Sequence, residues 1–110
     1  MHRFLTMACR QCSAPILGGY DSERCGLWAE VDILAIDQAG ELLAIMSDRH
    51  TYAIRHGELD RRDHWMIRGS PAGARGVLVV PQHRCGQAIP GKPLPRRVIA
   101  AVEEFLEPPF

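Results

Sequence analysis

Two short ligand pairs near opposite ends of the chain constrain its fold more than any other feature. Cys9-Arg10-Gln11-Cys12 places two thiols on one tight turn, and His83-Arg84-Cys85 places an imidazole and a thiol on another. Such turns offer both side chains to a single ion, with backbone amides close enough to share the sulfur charge. Tetrahedral Zn²⁺ takes cysteine sulfur at about 2.3 Å and histidine nitrogen at about 2.0 Å, and structural sites fill all four positions from the protein. The spacing predicts a Cys₃His zinc site built from Cys9, Cys12, His83 and Cys85. The pairs stand roughly 70 residues apart, far more than in a zinc finger, so the body of the domain has to lie between two metal knuckles.

Other readings of the cysteines compete with this one. Cys25, followed by Gly26, could replace His83 in a Cys₄ site. The apolar run leading into His83-x-Cys85 favours the histidine, because one strand end then delivers two ligands together. A redox Cys-x-x-Cys opens a helix whose dipole lowers the thiol pKa, and Ser13-Ala14-Pro15 followed by Gly18-Gly19 argues against a helix here. Four cysteines in 110 residues are too sparse for a disulfide scaffold. Free cysteine is also among the most often buried side chains, so an ordinary core role is the plain alternative. A metal clip between the ends would remove about 4 kcal/mol of unfolded-state freedom by loop closure, against a typical domain stability of ~5–15 kcal/mol. Loss of Cys12 or Cys85 is therefore expected to leave the chain largely unfolded, and loss of Cys25 to be tolerated.

Between the knuckles the periodicities describe one α+β domain over residues 1–110, with 1–7 as an N-terminal extension. Leu27, Ala29, Val31 and Ile33 alternate with Trp28, Glu30 and Asp32, the period of a half-buried strand. Strand formers recur at 51–56, and Val77-Leu78-Val79-Val80 reads as a buried strand stopped by Pro81. Asp37 is a good N-cap for a helix over 38–47, with Leu42, Leu43, Ile45 and Met46 as its apolar face. Asp60 to Arg68 reads as one or two helical turns with Trp65 and Ile67 turned inward. Arg96 to Leu106 carries the clearest helical spacing, before Pro108-Pro109. The expected architecture is a small antiparallel sheet of 27–33, 51–56 and 77–80, packed by helices at 38–47 and 96–106, with a zinc ribbon-like pair of knuckles.

Composition narrows the function classes. Thirteen basic and thirteen acidic residues cancel, which argues against a surface built to coat nucleic acid or an anionic membrane. No window approaches the ~18 apolar residues of a membrane helix, and the N-terminus lacks the apolar region of a signal peptide, so a cytoplasmic protein is expected. Arg61, Arg62, Arg96 and Arg97 are candidate contacts to nucleic acid or a partner, although acidic residues flank both pairs. His56-Gly57-Glu58 matches the His-x-Glu of zinc deaminases, but the Cys-x-x-Cys lies upstream of it instead of downstream. Four protein ligands leave no open position for an activated water. An enzyme is not expected.

Further residues fall into a recognisable layout. Cys9, Cys12 and Pro15 are followed by Asp37, Gly40, Glu41 and Ala44, then Thr51-Tyr52, then Leu59, Arg62, Asp63, Trp65 and Ile67, and finally His83-Arg84-Cys85-Gly86. This order resembles a family of small proteins encoded by actinobacterial phages and prophages. The resemblance implies phage origin and a zinc site on the Cys-x-x-Cys and His-x-Cys pairs, and no particular activity. The segment from Arg96 lies outside it. The expected function is a structural-zinc module that engages a host or phage protein, with nucleic-acid binding as the alternative and a thiol oxidoreductase or metalloenzyme third.

Overall fold

Alternation along three neighbouring strands builds the first sheet. The computed structural model describes residues 4–21, 27–55, 58–95 and 98. Within them β1 (Leu5–Ala8), β2 (Pro15–Tyr20) and β3 (Trp28–Asp32) form an antiparallel sheet in the order β1-β2-β3. Its register pairs Met7 with Ile16 and Ile16 with Asp32, so Leu5, Met7, Ile16, Trp28 and Glu30 share one face. The opposite face carries Leu17 and Val31, both fully buried against Tyr52, Leu59 and Val80.

Gly18 and Gly19, a pair that by composition favours a turn, lie inside β2. Their missing side chains make room for rings: a Cβ on Gly18 would overlap the Trp28 indole, and one on Gly19 would press into Phe4. Backbone pairing on both sides of β2 overrides the local turn preference of the two glycines.

β3 therefore belongs to this sheet, not to the one expected with 51–56 and 77–80. After β4 (Leu34–Ala35) and helix α1 (Gln38–Met46), the chain forms β5 (Thr51–Arg55), β6 (Glu58–Arg61), the short helix α2 (His64–Gly69) and β7 (Val79–Pro81). The second sheet has the order β6-β5-β7, and β8 (Lys92–Pro93) pairs with β4. Pro81 closes β7 opposite Thr51 at the edge of that sheet, a position that tolerates a residue without an N–H. A bridge between Val31 and Gln82 joins the two larger sheets. Among the described residues the molecule is an α+β fold of small antiparallel sheets with the two helices α1 and α2.

Helix α1 starts as expected, with the Asp37 carboxylate accepting from the Gly40 amide at 2.8 Å. Its buried side is different. Gly40, Glu41 and Ala44 face inward, whereas Leu42, Leu43, Ile45 and Met46 are exposed. Glu41 takes the inward position because it has partners there: Arg62 bonds both its oxygens at 2.7 and 2.9 Å, and Thr51 donates to it at 2.7 Å. The second helix starts later than the stretch expected from Asp60, with Asp63 as its cap accepting from the Met66 amide at 2.9 Å. The Trp65 indole is 68% exposed, contrary to the inward position expected for it. The expected helix at 96–106 lies outside the described residues, apart from Val98, which packs beside the core.

Candidate metal centre

The first half of the centre is the tip of the β1–β2 hairpin. Ala8 still pairs with Pro15, and the residues between them close on themselves, with Cys9 N donating to Ala14 O at 2.8 Å and Ser13 N to Cys9 O at 2.9 Å. Ser13 completes the turn in the left-handed region, at φ 63°. This geometry aims backbone N–H groups at the first sulfur. The amides of Cys12 and then Gln11 hold the Cys9 thiol down at about 6.

The second half follows β7. Gln82 pairs with Val31, His83 N donates to Glu30 O at 2.9 Å, and Gly86 turns the chain at φ 73°. The end of β7 is thereby tied to β3, and β3 lies beside the hairpin that carries Cys9 and Cys12. This strand neighbourhood brings the ends of the chain together.

Cys9 Sγ lies 3.5 Å from Cys85 Sγ, and His83 Nε2 lies 3.4 Å from Cys12 Sγ and 3.6 Å from Cys85 Sγ. All four donor atoms fall within 4.8 Å of one another. A tetrahedron with metal–sulfur bonds of about 2.3 Å and a metal–nitrogen bond of about 2.0 Å has S–S edges of about 3.8 Å and S–N edges of about 3.5 Å. The three short separations lie within about 0.3 Å of those edges, and the cluster could hold a metal ion. Three thiolates and one imidazole leave a bound divalent cation with a single net negative charge and no free protein position.

The protonation of the ligands follows from their crowding. Partial burial alone would lower the His83 pKa, but the hydrogen bond to Asp32, then those from Cys12 and Cys9, outweigh it and raise the imidazole to about 9. Hydrogen bonding with Cys9 and then Cys12, with partial burial added, pushes the Cys85 thiol up to about 11. A cleft of about 960 Å³ opens beside the cluster, lined by Met7, Trp28 and Glu30 of the sheet face and by Cys9, His83 and Cys85.

The remaining candidates fare differently. Arg62 is no surface contact: its side chain is fully buried on Glu41, with a further bond to Ser70 O at 2.6 Å. Arg61 is half-buried, with Nη2 2.9 Å from His50 Nδ1. Arg96, Arg97 and Cys25 lie outside the described residues. Two residues that sequence reasoning passed over, Asp32 and Arg49, stand directly behind His83. Asp32 sits on the polar side of the β3 alternation and reads as solvated, and nothing in local spacing marks Arg49. The one available signal was general: a metal-binding histidine needs an acceptor for its other nitrogen. Searches against protein-family models, curated proteins and solved structures found no match to the chain.

Proposed function

We propose that the protein is a structural-zinc module of phage type that acts by engaging a protein partner, and that Cys9, Cys12, His83 and Cys85 hold its single Zn²⁺. The observation that carries this reading is the convergence of four donor atoms from opposite ends of the chain, all within 4.8 Å of one another and three pairs of them at 3.4–3.6 Å. A Cys₃His set is soft and nitrogen-containing, which suits zinc over calcium or magnesium. Its four positions are all supplied by protein, which suits a structural metal over a catalytic one.

A protein partner is favoured by the surface. Leu42, Leu43, Ile45 and Met46 are exposed along one helix, and one of the arginines that would serve nucleic acid is buried in an ion pair. The zero net charge agrees. Among the described residues no helix is long and apolar enough to cross a membrane.

Elemental analysis of purified protein tests the metal reading. One zinc per chain is expected, lost in Cys12→Ser and Cys85→Ser and kept in Cys25→Ser. A folded wild type that takes up no zinc, or a metal-free Cys25→Ser, overturns the assignment. Retention on a nucleic-acid column that weakens steeply between about 50 and 200 mM salt would replace the protein-partner reading with the nucleic-acid one.

A further inference from the structure

Imidazole can bind a metal through either nitrogen, and the hydrogen bond made by one decides which is left for the ion. In His83 the choice is made by Asp32. Nδ1 donates to Asp32 Oδ1 at 2.7 Å, and Nε2 is the atom turned toward the sulfurs of Cys12 and Cys85. The carboxylate is itself held from behind. Arg49 Nη2 donates to Asp32 Oδ2 at 3.2 Å, and the Arg49 side chain is only 1% exposed.

The other bonds of this buried guanidinium go to the frame of the ligand loop. Nε and Nη2 donate to Gln82 O at 2.9 and 2.7 Å, and Nη1 donates to Gln87 O at 2.7 Å. Gln82 and Gln87 bracket the stretch that carries His83 and Cys85. One cation thus ties together both sides of the loop and the carboxylate that orients the histidine. Arg84, within the loop, reaches in the other direction and donates to Ser47 O at 2.5 Å, at the end of α1.

We infer that Asp32 and Arg49 are positioning residues of the metal centre: Asp32 fixes His83 as an Nε2 ligand, and Arg49 locks Asp32 and the 82–87 loop into one unit. The inference rests on the metal reading above and adds the residues that set its affinity. Groups in this position typically change metal affinity 10–100-fold when removed.

The test is a double-mutant cycle read by zinc competition against a chromophoric chelator. Asp32→Asn keeps the size of the side chain and removes its charge. It is compared in two backgrounds, wild type and His83→Cys, the latter offering four thiols and no imidazole to orient. Expected is zinc binding about 10–100-fold weaker for Asp32→Asn in the wild-type background, and a change under about twofold in the His83→Cys background. Equal losses in both backgrounds, or none in the wild type, overturn the inference, because Asp32 would then be supporting the fold or doing nothing for the metal. Should Asp32→Asn fail to fold, Arg49→Lys enters the same cycle with the same expectation. A wild type that binds no zinc sinks the metal reading itself, an outcome distinct from all of these.

Discussion

Cys9 and Cys85 carry the same side chain 3.5 Å apart, yet their surroundings push them in opposite directions. Backbone amides of Cys12 and Gln11 favour the Cys9 thiolate and lower it to about 6, while the neighbouring sulfurs oppose ionisation of Cys85 and raise it to about 11. In the metal-free protein at pH 7, iodoacetamide should therefore modify Cys9 well before Cys85, and zinc should protect both. Peptide mass spectrometry over a time course reads the order, and preferential labelling of Cys85 would contradict the geometry at the hairpin tip. The same values fix the direction of the pH dependence of metal uptake. His83, raised to about 9, and Cys85, raised to about 11, both carry protons at pH 7 that a metal-bound ligand cannot keep. Binding displaces at least those two protons, so affinity climbs with pH by at least about 100-fold per unit near neutrality, and below about pH 6 the Cys9 proton steepens the fall. Chelator competition at several pH values checks the slope, and a change under tenfold per unit would mean that the ligands are already deprotonated.

Helix α1 shows where pattern and structure part. Asp37 and the spacing after it correctly mark the start of the helix, and the β3 alternation correctly marks a strand with Val31 buried. The inward face of α1 was not readable from the same stretch. Four large apolar residues suggested one side, but the buried side is chosen by Glu41 and its partner Arg62, twenty-one positions away. Long-range ion pairs leave no periodic trace, and neither does the room that Gly18 leaves for the Trp28 indole inside the sheet. The metal ligands were legible for the opposite reason, since their chemistry is concentrated in two short spacings. Asp32 and Arg49 were not, because each acquires its role from partners that only the fold supplies. The energetics separate the two sides of α1. Glu41→Ala strands the Arg62 guanidinium in a site where it is fully buried, and should cost about 3–5 kcal/mol. Met46→Ala, on the 75% exposed side, should stay within about 0.5 kcal/mol of wild type. Urea unfolding of the two variants compares them directly, and a Met46→Ala loss as large as that of Glu41→Ala would reverse the assignment of faces.

The metal would join two sheets that already meet without it. Val31 pairs with Gln82, the His83 amide donates to Glu30 O, and Leu17 and Val31 share a core with Tyr52, Leu59 and Val80. From spacing alone the ligands looked like the chief tie between the ends of the chain, and their loss was expected to leave it largely unfolded. A shared core lessens that dependence. Linking Cys9 to Cys85 closes a loop of 76 residues, for which chain-entropy arguments give about 4 kcal/mol. Set against a typical domain stability of ~5–15 kcal/mol, that loss weakens the fold without removing it. Stripping the metal with a strong chelator should lower the melting temperature by about 15–25 °C while leaving the protein folded at 25 °C. Hydrogen exchange should place the damage locally. The amides of Cys9 and Ser13 at the hairpin tip and of His83 and Gln87 in the ligand loop should lose protection, while those of Ile54 and Ile36 in the body keep it. Loss of protection throughout β5 on chelation would show that the metal holds up the whole fold, and an unchanged melting temperature would show that it holds up none of it.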